Sequence, residues 1–281
     1  MTPVASDLAT LGADVEWPDA EAAAEARSAE HGVFGRLAEL VEWLAGVQGA
    51  FAPTEPSRPR CVVVGSISSA VAGLAESLGV GVRSTETEPD LDVPAALSSG
   101  ASVADDEVDA GADLLIIAAP GPAPVAAVVV SLLTGAEPAA LLPRGVAAID
   151  TTAWITLAER MRDTRRAVAG LRNSPDELLK ALDDPPFAAT TGLVLRAAAR
   201  RTPVVLDGTA AVVAALLGYD VQPRAARWWQ IADTGTDPVH MRAVAALTGQ
   251  PLLDLSTAGD GLAGLLTVPL LRAAAAIAST R

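Results

Sequence analysis

Short continuous apolar runs alternate along this chain with longer stretches of helical periodicity. "CVVVG" (61–65), "DLLIIA" (113–118) and "TPVVLDG" (202–208) are aliphatic runs of strand length. Runs of that kind read as strands covered on both faces. "VGVRS" (80–84) and "ARWWQIADTG" (226–235) add two weaker candidates. Between them lie helical patterns. Leu37, Leu40, Val41, Leu44 and Val47 recur at i, i+3, i+4, i+7 and i+10 and give one apolar face. Further helices are expected over 69–79, after the loop at 119–124, from Thr152, over 175–182, 186–201 and 209–218, from Pro238, and over 261–280. Ser174 before Pro175 and Asp237 before Pro238 are N-cap and first-turn signals. Residues 84–104 are rich in turn formers and are expected as a loop or short helix.

Strand–helix alternation predicts an α/β protein with a parallel sheet flanked by helices. The chain is expected to hold a loosely ordered lead-in at 1–18 and a single α/β domain at 19–281. Helices from about 19–50 and 260–281 would form a small helical subdomain, with the sheet core at about 60–255. Half of the 281 residues are hydrophobic, but only 3% are aromatic, so Ala, Val and Leu must build the core. A net charge of −14 argues against nucleic acid and anionic membranes as partners. The first residues lack a basic segment followed by an apolar one, and no apolar stretch reaches membrane-spanning length, so a cytoplasmic protein is expected.

Chemistry-bearing motifs are sparse. His31 and His240 are far apart, and Cys61 is the single cysteine, so no metal site is expected. Neither a dinucleotide fingerprint nor a phosphate-binding G-x-x-x-x-G-K motif is present, and no cofactor is expected. Three places draw attention. Asp207 and Gly208 follow a buried strand, at the sheet end where ligands bind, although an Asx-turn capping the next helix explains them equally well. Gly259 and Gly261 flank Asp260 and permit close approach of a backbone or a flat ligand, although Asp260 could equally cap the last helix. The third is the loop Pro120, Gly121, Pro122, Ala123, Pro124. It stands where a ligand loop belongs, yet its three prolines remove three N–H donors.

"GRLAELVEWLAGVQG" (35–49), "AGADLLII" (110–117), "TGAEPAALLPRG" (134–145), "LRAAARRTPVVLDG" (195–208), "DPVHMRAVAALTGQPLLDL" (237–255) and "GDGLAGLLTVPLLRAAA" (259–275) occur in the order of one known family. In these segments the chain resembles the nicotinate-nucleotide:dimethylbenzimidazole phosphoribosyltransferases of cobalamin biosynthesis. The resemblance implies a Rossmann-like parallel sheet with a small helical domain, in a homodimer. It implies transfer of phosphoribosyl from nicotinate mononucleotide to dimethylbenzimidazole, giving α-ribazole phosphate and nicotinate. The family's general-base glutamate corresponds to Asp260, and Gly121, Arg144, Gly145, Asp207, Gly208, Gly259 and Gly261 fall at substrate-binding positions. It also implies losses: the family's phosphate-binding loop is reduced here to Gly121, its glutamate is Ala119, and the chain is shortened around 66–104. A catalytically inactive homologue, retaining the fold as a binding or regulatory partner, is the alternative expectation.

Overall fold

The computed structural model describes residues 7–29, 35–88, 90–121, 124–143 and 150–279. In chain order the helices are α1 (Leu8–Ala13), α2 (Ala20–Ser28), α3 (Arg36–Gln48), α4 (Ser69–Leu78), α5 (Val93–Asp109), α6 (Pro124–Thr134), α7 (Thr151–Val168), α8 (Pro175–Leu182), α9 (Pro185–Ala199), α10 (Thr209–Val221), α11 (Pro238–Ala246) and α12 (Leu262–Ala278). The strands are β1 (Pro59–Val64), β2 (Gly81–Thr85), β3 (Leu114–Ala118), β4 (Val204–Asp207) and β5 (Trp229–Ile231). They form one parallel sheet in the order β2-β1-β3-β4-β5.

Strand alternation divides the core in two. Val62, Leu115, Ile117, Val204 and Leu206 point to a layer containing α1, α5, α6, α9, α10 and α11. Cys61, Val63, Leu114, Ile116, Ala118 and Val205 point the other way, to α2, α3, α4 and α12. This explains why the strands read as unbroken apolar runs: both faces are covered. Helix α3 packs on α2 and α12, and α12 continues across β1, β3 and β4. Trp228 and Trp229 are buried in the first core.

Three segments depart from the sequence reading. The lead-in expected to be loose contains α1. Asp7 caps it by accepting from Thr10 N (2.8 Å), and Leu8, Leu11 and Val15 are buried. Its neighbours hold it in place. Trp228 Nε1 donates to Glu16 O (2.8 Å) and Gln222 Nε2 to Gly12 O (3.1 Å). Six residues would make a marginal helix alone, and burial against α9 and α10 supplies what local propensity lacks. The stretch 84–104, expected as a loop or short helix, contains most of the 17-residue helix α5. Asp92 starts it, accepting from Ala95 N (2.8 Å). Its small residues, which read as turn formers, are there for close packing. A Cβ on Gly100 would stand 1.8 Å from Ala189 O, and one on Gly192 of α9 would stand 2.1 Å from Leu97 O. The last strand is also shorter than expected, because Pro223–Trp228 forms a 3-10 turn. Asp237 does cap α11, accepting from Val239 N (2.9 Å), whereas Ser174 precedes α8 without a side-chain cap bond.

The α5–α9 crossing gives a direct test. Gly192→Ala should destabilise the fold by at least ~2 kcal/mol, because the added methyl meets backbone that no side-chain rotamer can move aside. Urea denaturation of the variant beside the wild type measures this.

Candidate active site at the carboxyl ends of β3, β4 and β5

In a 2-1-3-4-5 sheet the strand order reverses between β1 and β3, and ligands favour the crevice beyond that point. Here the start of α12 lies against it. A Cβ on Gly261 would touch Cys61 of β1 and Ala118 of β3 at 3.4–3.5 Å. The open space lies farther along, beyond β3, β4 and β5. A cavity of about 1130 Å³ is lined there by Pro120, Gly121, Asp207, Gly208, Asp233 and Gly259, by one face of α7, and by the starts of α6, α10 and α11.

Glycine builds its floor. Gly208 has φ +96°, and a Cβ there would stand 2.4 Å from Ala119 O and 2.9 Å from Gly259 O. Gly259 has φ +77°, and its Cβ would stand 2.2 Å from Gly208 Cα. Three chain segments thus meet backbone to backbone, an approach only glycine permits.

Three carboxylates sit at this floor. Asp207 ends β4 and is 1% exposed. Its Oδ2 accepts from Gly264 N (2.9 Å) in the first turn of α12, while its Oδ1 has no hydrogen-bond partner. Burial pushes its pKa up to about 6, against the N–H groups of Gly264 and Gly261 and with the charges of Asp260 and Asp233. Asp233 follows β5. Burial also opposes its ionisation, but hydrogen bonds from Leu255 N (2.7 Å), Thr257 N (2.7 Å), Thr257 Oγ1 (2.9 Å) and Thr234 N (2.9 Å) hold it below the usual carboxylate range. Asp237 accepts from Thr209 Oγ1 (3.1 Å) and ties the start of α10 to that of α11. His240 is buried, and its Nε2 donates to Asp233 O (2.9 Å), so the proton is on that nitrogen.

Of the site residues expected from sequence, Gly121, Asp207, Gly208 and Gly259 line the cavity. Asp260 and Gly261 are not among its lining residues. Asp260 lies beside the floor, where its Oδ1 accepts from Leu262 N (3.3 Å) and its charge raises the pKa of both Asp207 and Cys61. Gly261, not Asp260, is the N-cap residue of α12. Arg144, Gly145 and His31 lie outside the described residues. Cys61 is buried with its thiol pushed up to about 12 by burial first and then by Asp207 and Asp260, so it is no nucleophile. Sequence reasoning missed Asp233, although "ADTG" after β5 repeats the acid-and-glycine pattern of "LDG" after β4. It also missed the α7 face (Thr156, Arg160, Met161, Thr164), which no local motif marks.

Asp207 makes the site's electrostatics measurable. Its pKa is higher in the folded chain than in the unfolded one, so its contribution to stability is fully present below about pH 4 and is lost as pH rises through about 6. Asp207→Asn cannot ionise. Between pH 4 and pH 7.5 its stability should gain on the wild type by up to about 3 kcal/mol, read from paired denaturation curves across that range.

Comparisons with known proteins agree with this fold. A family model described as phosphoribosyltransferase matches residues 89–281. A nicotinate-nucleotide–dimethylbenzimidazole phosphoribosyltransferase of Mycobacterium avium is 33% identical, covering 95% of this chain and 95% of that protein. One from Streptomyces avermitilis is 32% identical, covering 93% and 85%. The first of these alignments runs over 334 positions against 281 residues here, so the relative carries segments this chain lacks. The crystal structure of CobT from Thermus thermophilus superposes with a TM-score of 0.77 at 23% identity, over 92% of this chain and 96% of that one. The five-stranded parallel sheet with helices on both faces, and sequence identity above 30% along nearly the whole chain, place this protein in the phosphoribosyltransferase family.

Proposed function

We propose that this chain transfers phosphoribosyl from nicotinate mononucleotide to a base of the dimethylbenzimidazole class, releasing nicotinate. The observation that carries the reading is the cavity floor, where Asp207, Asp233 and Asp237 converge at the ends of β4 and β5. As the bond from the ribose to nicotinate breaks, positive charge develops at the ribose. Fixed carboxylates in a partly dry site stabilise it without reorganising. Asp233 suits this role, because its hydrogen bonds keep it ionised. The attacking nitrogen forms the new bond to C1, the electron pair of the old bond returns to nicotinate, and the ring N–H proton must leave. Asp207 is the proton acceptor, its affinity for a proton raised by burial first and then by the charge of Asp260. No cofactor takes part in this scheme, and the protein acts as a cytoplasmic homodimer. Among the described residues no helix is long and apolar enough to cross a membrane.

A second reading, a homologue that binds without turnover, draws on Pro120 and Pro124 at the loop and on Asp260 lying off the cavity wall. One assay separates the two. The purified protein is incubated with nicotinate mononucleotide and dimethylbenzimidazole, and the products are resolved by chromatography and mass. Formation of α-ribazole phosphate and nicotinate is expected, with Asp233→Asn about 10²-fold slower. Nucleotide binding without product would establish the second reading.

A further inference from the structure

The donor-poor loop leaves a question about the substrate's phosphate. Resting on the nucleotide reading above, we infer that Arg160 of α7 is the residue that binds the phosphate group, so that the anion is held by a helix side chain and not by the β3–α6 loop. Arg160 is the only lysine or arginine among the described residues that line the cavity. The other charged groups there are carboxylates: Glu159 and Asp163 on α7, and Asp207, Asp233 and Asp237 at the strand ends. A phosphate dianion entering such a cavity is repelled unless one cation offsets them, and Arg160 is placed to do so.

Its guanidinium is also uncommitted. Asp163, the nearest acid along the helix surface, is engaged by Arg162 (3.3 Å) and Arg166 (3.6 Å). Arg160 is exposed and makes no hydrogen bond or ion pair among the described residues. Met161 beside it is buried and anchors this part of α7. Thr156 and Thr164, four residues to either side, line the same wall; the Thr156 hydroxyl donates to Thr152 O (3.0 Å), and Thr164 adds a hydroxyl donor. Carboxylates held by hydrogen bonds lie at the floor, where ribose cation character would develop, and Arg160 stands on the α7 wall beside Glu159 and Asp163, where the 5′-phosphate would reach.

The test is a cycle of two ligands and two proteins. Nicotinate mononucleotide and nicotinate riboside, which differ by the phosphate alone, are titrated by calorimetry into wild type and Arg160→Gln. Wild type should prefer the nucleotide by tenfold or more. In the variant the nucleotide should weaken at least tenfold while the riboside changes less than twofold, and Arg160→Lys should recover part of the loss. Equal weakening of both ligands, or of neither, overturns the assignment. Ribose 5-phosphate, titrated into the same proteins, separates failure of the assignment from failure of the nucleotide reading. If neither nicotinate ligand binds but ribose 5-phosphate binds through Arg160, the assignment stands and the nicotinate reading falls. If no phosphate ligand binds wild type, the assignment falls.

Discussion

The site depends on one backbone contact. Gly208 at the end of β4 and Gly259 before α12 meet with no room for a Cβ on either, and Ala119 at the end of β3 closes against the same point. Both glycines have positive φ. A side chain at either position would push the loop before α12 away from the sheet. Three features would move with it: the Gly264 N–H that holds Asp207, the Thr257 groups that hold Asp233, and Gly259 as part of the cavity floor. The contact costs conformational entropy in the unfolded chain. It is offset by burial of α12 against Ile116, Val205 and the rest of the second core.

That contact also explains how two acids of the same type come to differ. Asp207 is enclosed by the sheet and the first turn of α12, has two backbone N–H groups near it, and leaves one oxygen unpartnered, so it binds its proton more tightly than usual. Asp233 receives four hydrogen bonds from the loops that follow β5 and precede α12, and it holds its charge. Environments that push two neighbouring carboxyl groups apart separate the roles of proton acceptor and fixed negative charge. The segment 255–264 donates hydrogen bonds to both, so one stretch of chain bears on the protonation of Asp207 and of Asp233.

Much of the fold was legible because it is a local code. Buried parallel strands announce themselves as apolar runs, and Asp-Pro starts such as Asp237–Pro238 mark helices. What was not legible depended on partners. Leu8 and Leu11 look like two leucines in a short polar lead-in until α9 and α10 are there to cover them. The serines and Gly100 of 98–102 read as turn formers until α9 is seen to cross within backbone contact of Gly100. In the site, Asp207, Gly208 and Gly259 were visible as acids and glycines beside a strand or a helix start. Asp233 carried the same signature more faintly, and Arg160 carried none.

The sequence by itself determined the strand and helix alternation, the two-sided burial of the sheet, the three prolines of the loop at 120–124 and the family to which the chain belongs. These rest on residue type and spacing within a few turns, which any neighbouring structure must accommodate. Only the tertiary structure decided that the cavity opens over β3, β4 and β5, that Asp260 lies beside it while Asp207 lines it, and that α7 supplies its one cation among the described residues. Those facts arise where segments more than 20 residues apart meet. Solvent access and pKa at such a meeting are properties of the assembled surroundings and of no single stretch of chain.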